Sequence, residues 1–326
     1  LVESFPGPRP VGDASVEKDD EERDPLAKGL FGYPAGKHVM SKKLAAMIPP
    51  HRIYVEPFIG SVAVLFAKEK APIEVVNDLN KEVAQAWRDL SSLSDSQIRA
   101  IQNRQWTGNK EAYRKIHESN PGDAVGRLHR FLYLARFSFG SRREKGFNNN
   151  TEGKTSIIPS KLEKLAPRVK GVRAYCDDYE KICKKYDSAD TFFFLDPPYA
   201  GYDGGVNESS FDEERFFGFL KSLKGKWLLT YGVRGKLPSM LRNSGFTVRN
   251  WDIRRALGSS PAGGGGKDAS TLGQIIAYNY KPSVSKSDDL DVPSLLTLLG
   301  ALGRQVDVEK SGALADSAEV LLDELR

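Results

Sequence analysis

The chain has 326 residues, 40% of them hydrophobic, and a formal net charge of +5, enough for one large domain with an insert or for two domains. Two cysteines, Cys176 and Cys183, are too few for a disulfide framework or a Cys-based zinc site, and four scattered histidines lack metal-ligand spacing, so no metal is expected. No apolar run approaches the ~20 residues of a membrane span, and residues 1–25 are acidic and Pro/Gly-punctuated, unlike a signal peptide; a soluble, cytoplasmic protein is expected.

Residues 1–28 carry most of their charge as Asp and Glu, lack periodicity and read as a disordered acidic tail. Phe31 to Lys37 forms a loop that opens a helix from about Ser41. Ile53-Tyr54-Val55 reads as a short strand ending in Glu56-Pro57-Phe58-Ile59-Gly60-Ser61, with a helix from about Val62 to Lys68. Ile73 to Val76 reads as a second strand ending in Asn77-Asp78, followed by a helix from Lys81 to Leu90. Strand, loop, helix, strand, acid is the layout of a Rossmann-like nucleotide-binding half.

Residues 91–160 break that rhythm, being helical and loop-like. Within them, 99–160 holds twelve Lys/Arg against five Asp/Glu and reads as a basic insert between two parts of one α/β domain, 29–98 and 161–282. Arg127, Arg130, Arg136, Arg142, Arg143 and Lys145 are interleaved with aromatic residues such as Tyr133, Phe137, Phe139 and Phe147. A solvated basic face would explain the charge alone. Cations that meet phosphates, beside rings that stack, fit a nucleic-acid surface better.

The α/β pattern resumes with a helix from Leu162 to Val169 and a strand from Val172 to Cys176. Asp177-Asp178-Tyr179 and a short helix follow. The apolar run Thr191 to Leu195 reads as a buried strand, and Asp196-Pro197-Pro198-Tyr199 follows it directly. Phe211 to Leu223 is amphipathic and helical, and Lys226 to Tyr231 is a further strand. Strands from Thr247 to Ile253 and Leu272 to Tyr280 flank a glycine-rich loop. The fold class is α/β, a mostly parallel sheet with an antiparallel edge. Residues 283–326 are acidic and form an extension of two short amphipathic helices.

The tetrapeptide Asp196 to Tyr199 offers acceptors and a flat ring but few donors. Proline has no backbone N–H, and an ionised Asp only accepts. Such a site suits a planar group bearing an amino group, such as a nucleobase; a plain strand stop is the simpler alternative. The Glu56–Ser61 turn could bring backbone close to a ligand or could be an ordinary strand-to-helix turn. Asp78 lies 18 residues after Gly60, near the ~20-residue offset at which an acid reaches a ribose hydroxyl. Asp178 is a third acid at a strand end, where a helix N-cap is also common. There is no P-loop lysine signature, which disfavours phosphate transfer.

Together, Ala35-Gly36-Lys37, the stretch Tyr54 to Ser61, Asn77-Asp78-Leu79-Asn80 and, after the basic insert, Asp196-Pro197-Pro198-Tyr199, in this order, resemble the Dam-type (alpha-group) DNA adenine-N6 methyltransferases. Arg136 to Phe147 resembles that family's basic recognition loop, and Ile276 to Pro282 the strand closing its catalytic domain. The resemblance covers about residues 29–282. It implies a Rossmann-like methyltransferase fold with a helical and loop-like target-recognition insert. It also implies that Glu56, Phe58 and Gly60 line an S-adenosylmethionine pocket, with Asp78 on the ribose, Asp178 on the cofactor's adenine, and Tyr33 and Lys37 nearby. Asp196 and the Pro197 carbonyl would grip the target amine, followed by Pro198, with Tyr199 stacked on the base. In this sequence Val62 stands where many relatives carry a second glycine. Tyr33 replaces a frequent Trp. Gly32 stands where the best-known GATC methylases carry a DNA-contacting Lys, so a GATC target is not implied.

Adenine N6 is a poor nucleophile because its lone pair is delocalised. Accepting both amino hydrogens favours a localised lone pair, and holding donor and acceptor in line supplies much of the rate. A duplex buries N6, so the base must flip out. The expectation is an adenine-specific, sequence-specific DNA methyltransferase of a prokaryote or phage, acting on double-stranded DNA as a monomer or weak dimer. A restriction endonuclease is a candidate partner. A cytosine-N4 or RNA methyltransferase, and a catalytically idle DNA-binding protein on the same scaffold, are the alternatives.

Overall fold

The structure is a computed structural model that describes residues 40–60, 62–141, 143–200, 211–254 and 271–282. The chain divides after Tyr280, so nearly all of the described residues belong to the first unit. The expected tail 1–28 and extension 283–326 lie outside the described residues.

Seven strands form one sheet: β1 (Ile53–Glu56), β2 (Ile73–Asn77), β3 (Arg173–Tyr175), β4 (Thr191–Leu195), β5 (Lys226–Gly232), β6 (Thr247–Arg254) and β7 (Thr271–Tyr278), in the order β3-β2-β1-β4-β5-β7-β6. The first five pair in parallel, and β7 runs antiparallel to both β5 and β6. The β6–β7 hairpin thus forms the expected antiparallel edge, with β7 one place in and β6 on the rim. Burial explains this. Gln274 to Tyr278 are all buried in β7, whereas Thr247, Arg249 and Asn250 of β6 are exposed. The apolar strand takes the doubly covered place and the polar one faces water.

The helices are α1 (Ser41–Ala46), α2 (Ala63–Ala67), α3 (Lys81–Ser92), α4 (Asp95–Gln102), α5 (Lys110–Glu118), α6 (Ala124–Phe137), α7 (Ile158–Val169), α8 (Tyr179–Tyr186), α9 (Glu213–Ser222) and α10 (Leu237–Arg242). Their starts follow side-chain chemistry. Asn80, Asn109, Asp123 and Asp212 each cap a first turn, and Ser94 with Gln97 forms a capping box. Helix α7 begins four residues before the expected Leu162, because Pro159 is accommodated in the first turn, where no N–H is needed.

Side chains alternate across the sheet. Phe192 and Phe194 of β4 join a core with Tyr54, Val76, Val83 and Trp87. Phe193 and Leu195 join another with Val55, Val75, Phe216, Trp227 and Ile275. The insert shares the first of these: Leu128, Leu132 and Phe137 of α6 belong to the same cluster as β4. Each such side chain contributes about 1.5–3 kcal/mol on burial, so the insert is fastened to the sheet by apolar packing.

From β1 the chain steps outward to β2 and β3, then returns to β4 on the other side of β1. Ligands of open α/β sheets bind beyond the carboxyl ends of the strands at such a reversal. Glu56 and Asp196 sit on the two sides of this crevice, one closing β1 and the other just beyond β4.

Candidate active site

The loops beyond β1, β2 and β3 are tied together by Asn77. Its buried side chain donates to the Pro57 carbonyl at 3.1 Å and the Asp177 carbonyl at 2.9 Å, and accepts from the Asp177 N–H at 3.0 Å. Its carbonyl accepts from the Ile59 N–H at 3.1 Å. One amide thus fixes the spacing of three acidic strand ends. The sequence shows Asn77 as a neighbour of Asp78, but not this bracing role, which depends on chain segments a hundred residues apart.

Glu56 is buried and accepts from the Tyr54 hydroxyl at 2.9 Å. Burial pushes its carboxyl up to about 8, the nearby Asp196 adds to the rise, and Tyr54 and Lys68 oppose it. Asp78 is raised to about 7, again by desolvation, against the Asn80 N–H that it accepts at 2.8 Å and the charge of Arg143. The turn between β1 and α2 ends in Val62, whose φ of 47° and ψ of 36° are left-handed. A β-branched residue rarely adopts that conformation, which glycine takes freely. The backbone therefore keeps the shape that a glycine there would give. Gly60 precedes this turn and its carbonyl accepts from the Trp87 indole at 3.4 Å.

Phe58 faces the ring of Tyr179 at 5.1 Å and those of Phe216 and Phe211 at 5.9 and 6.2 Å. Asp178 caps α8, accepting from the Glu180 N–H at 2.9 Å. It also accepts from Arg215 through both carboxylate oxygens, at 3.2 and 3.1 Å, while Arg215 reaches Glu180 at 2.7 Å and lies over the Tyr179 ring. Arg215 was invisible to sequence reading because α9 meets α8 only in the fold.

Asp196 is half-buried. Its Oδ1 accepts from the Tyr199 hydroxyl at 2.9 Å and from Thr230 Oγ1 at 2.7 Å. Thr230 is fully buried on β5. Pro197 is buried and Pro198 exposed. The Tyr199 ring packs against Tyr231 at 5.3 Å. The Tyr231 hydroxyl accepts from the Ala200 N–H at 3.1 Å and donates to Glu213 at 3.0 Å. Glu213 also accepts the N–H groups of Lys236 and Leu237. Gly235, at φ +89°, lies so close that a Cβ would clash with the Glu213 carboxylate. The tetrapeptide is thus anchored from β5 and α9, and its acid has a fixed orientation.

The basic residues of the insert separate into two groups. Arg127 makes two hydrogen bonds to the carboxylate of Asp89 on α3, at 3.1 and 2.9 Å, and also donates to the Gly122 carbonyl. Arg130 donates to the His117 carbonyl at 2.9 Å and stands 3.6 Å from Glu82. Arg143 donates to Glu82 at 3.1 Å and lies over the Phe131 ring. These three are turned toward the protein. Arg136, half-buried, lies over the Phe137 ring, and Lys145 is exposed. Phe137 to Asn148 folds back on itself: the Asn148 N–H reaches the Phe137 carbonyl at 2.8 Å, Phe139 reaches Gly146 at 2.9 Å, and Ser138 pairs with Phe147. Tyr33, Lys37 and Arg142 lie outside the described residues. Among the described residues no helix is long and apolar enough to cross a membrane.

The family model of D12 class N6 adenine-specific DNA methyltransferases matches residues 33–248. The type II methyltransferase M.MjaIII of Methanocaldococcus jannaschii is 26% identical over 172 residues, 45% of this chain and 58% of that protein. The chain therefore spans somewhat over half the length of that relative. The type II methyltransferase M1.LlaDCHI of Lactococcus lactis subsp. cremoris is 23% identical over 202 residues, 56% of this chain and 70% of its own length. A DNA adenine methylase of Vibrio cholerae is 25% identical over 196 residues, covering 56% of this chain and 69% of that one. Among solved structures, an rRNA methylase from Streptococcus thermophilus covers 76% of this chain and 98% of its own at 10% identity and a TM-score of 0.33, a likeness too slight to argue from.

Proposed function

The chain belongs to the D12 class N6 adenine-specific DNA methyltransferases, and on that premise we propose that it transfers a methyl group from S-adenosylmethionine to N6 of an adenine flipped out of double-stranded DNA. The observation that carries this reading is the Asp196 carboxylate, held by Thr230 and Tyr199 at the end of β4, across the sheet reversal from buried Glu56.

The donor set fits the cofactor. Glu56 and Asp78 are both held above the usual carboxylate range by desolvation, and a cationic, hydroxyl-bearing ligand offers what such groups need. Glu56, Phe58, Gly60, Asp78 and Asp178 are the proposed cofactor residues, together with Tyr33 and Lys37 by resemblance. When bound, S-adenosylmethionine supplies a methyl group activated by its sulfonium. Asp78 would accept from the ribose hydroxyls. Asp178 would accept an adenine amine in place of Arg215, an exchange that costs little because both side chains are about half exposed.

On the target side, Asp196 and the Pro197 carbonyl accept the two amino hydrogens. That withdraws the N6 lone pair from the ring and aims it. Tyr199 supplies the face that replaces lost stacking. Arg136, Arg142 and Lys145 are the proposed phosphate contacts of the insert. The protein would act in a prokaryotic or phage-infected cytoplasm, as a monomer or weak dimer. A restriction endonuclease is its candidate partner.

The test is incubation with methyl-labelled S-adenosylmethionine and mixed DNA, followed by digestion and identification of the labelled nucleoside. N6-methyladenine is expected. N4-methylcytosine, or label in RNA alone, would overturn the assignment, and DNA binding without any transfer would identify an idle scaffold.

A further inference from the structure

Glu82 lies in the first turn of α3, two residues past the Asn80 cap whose N–H is held by Asp78. Two arginines of the insert converge on it, Arg143 at 3.1 Å and Arg130 at 3.6 Å. The Arg143 side chain is only 15% exposed, and its guanidinium sits 4.4 Å from the centre of the Phe131 ring. The Tyr113 hydroxyl contacts the Arg143 carbonyl at 3.4 Å and Ser138 at 2.7 Å, so the backbone of the hairpin is held as well. A cavity of about 220 Å³ lies between the start of α3 and the insert, lined by Asn80, Glu82, His117, Arg130, Leu134 and Arg143. The charge of Arg143 also acts on Asp78.

Arg143 is therefore badly placed for a phosphate and well placed to connect two sites. Its hairpin carries exposed Lys145 at the end away from the paired stem. Its side chain ends on the helix turn that positions the proposed ribose acid. We infer that Arg143 is a positioning residue which, through Glu82, couples DNA engagement by the Phe137–Asn148 hairpin to cofactor binding at Asp78. The inference rests on the proposed function. A load on the hairpin that shifts Arg143 must shift Glu82 and the Asp78–Asn80 turn, and cofactor binding must act on the hairpin equally, because coupling between two binding sites is reciprocal.

The experiment uses the full chain, S-adenosylhomocysteine as a non-transferring probe, and the mixed duplex DNA of the transfer test. Affinity for each ligand is measured with and without the other. The unaltered protein should show a coupling factor of about 5 or more, the lower end of common allosteric coupling. Arg143→Ala and Glu82→Gln should each bring it below about 2, and the double variant should lower it no further. Glu82 is half exposed, so its Gln variant decides the matter if Arg143→Ala fails to fold. A purely structural role would lower the unfolding temperature and leave the factor intact, which would overturn the inference. So would binding of both ligands without coupling in the unaltered protein. A chain that binds no S-adenosylhomocysteine would instead sink the functional reading, and this inference with it.

Discussion

Replacing Thr230 by Val removes one hydroxyl and almost nothing else. Thr230 is fully buried on β5 and its Oγ1 lies 2.7 Å from Asp196 Oδ1. Valine keeps the volume and suits a central strand, so the unfolding temperature should change by no more than about 2–4 °C, the shift that about 1 kcal/mol produces in a domain of this size. The carboxylate, however, loses one of two hydroxyls on the same oxygen; Tyr199 remains at 2.9 Å. A hydrogen bond to a charged group is worth about 1.5–3 kcal/mol. If the lower figure is lost from the orientation of Asp196, the methyl-transfer rate falls about 10-fold. Single-turnover transfer with labelled cofactor measures this free of product release, and a separate titration should find cofactor affinity unchanged. Thr230→Ser should restore the rate. Tyr199→Phe keeps the ring against Tyr231, so its loss and that of Thr230→Val should combine non-additively, since both act on one oxygen. A Thr230→Val enzyme with an unaltered single-turnover rate would show that Asp196 is not oriented from β5.

Glu56→Gln should stabilise the ligand-free protein at high pH while weakening cofactor binding. The folded pKa of about 8 exceeds the ordinary 4.5, so the folded state holds an extra proton between those values and its stability falls as pH rises through that window. The variant's advantage in unfolding free energy should grow from pH 5 to pH 8, by at most about 1.4 kcal/mol per pH unit; a constant difference would contradict the assignment. Arg127→Ala should cost about 1–2 kcal/mol of stability, because it leaves the carboxylate of Asp89, 5% exposed, without its charged partner and with the Gln85 amide at 2.8 Å as its remaining side-chain donor. The salt slope of DNA binding should stay the same, and a reduced slope would return Arg127 to the DNA surface. Lys145→Ala should lower that slope by about 0.9, with transfer at saturating DNA intact; an unchanged slope would remove Lys145 from the phosphate contacts.

Much of the scaffold could be read from the chain because it is written in short apolar runs closed by acids. Strands β1, β2, β4 and β5 and the acids Glu56, Asp78 and Asp196 follow from that punctuation. Helix α10 did not emerge, since its six residues, with Pro238 in the first turn, carry too little periodicity to register. The inward place of β7 did not emerge either, because chain order alone cannot say which arm of a hairpin is doubly covered. Thr230 is a subtler case. Leu195 pairs with Leu229 across β4 and β5, so the next residues, Asp196 and Thr230, fall beside each other. Register makes the contact, and register is a property of two strands and not of either one. The arginines show the converse limit: composition counts charge but not direction, and Arg127, Arg130 and Arg143 spend theirs on Asp89, His117 and Glu82.

The proposed methyl transfer needs its two halves held to a fraction of an ångström, and a row of rings lies between them. From the cofactor turn, Phe58 contacts Phe211 at 6.2 Å; Phe211 contacts Tyr231 at 6.5 Å; Tyr231 contacts Tyr199 at 5.3 Å. Aromatic side chains in such a row are large and have few rotamers; Tyr231 is fully buried, and Phe58, Phe211 and Tyr199 are half-buried against the same core. The turn after β1 and the tetrapeptide after β4 are therefore joined twice, once by parallel pairing of their strands and once by this row of rings. The Tyr231 hydroxyl accepts from the Ala200 N–H and donates to Glu213, which holds the row's far end. The acid proposed to orient the nucleophile and the turn proposed to hold the methyl donor are thus tied to each other within the sheet, while the hairpin proposed to meet DNA reaches the cofactor side through Arg143 and Glu82.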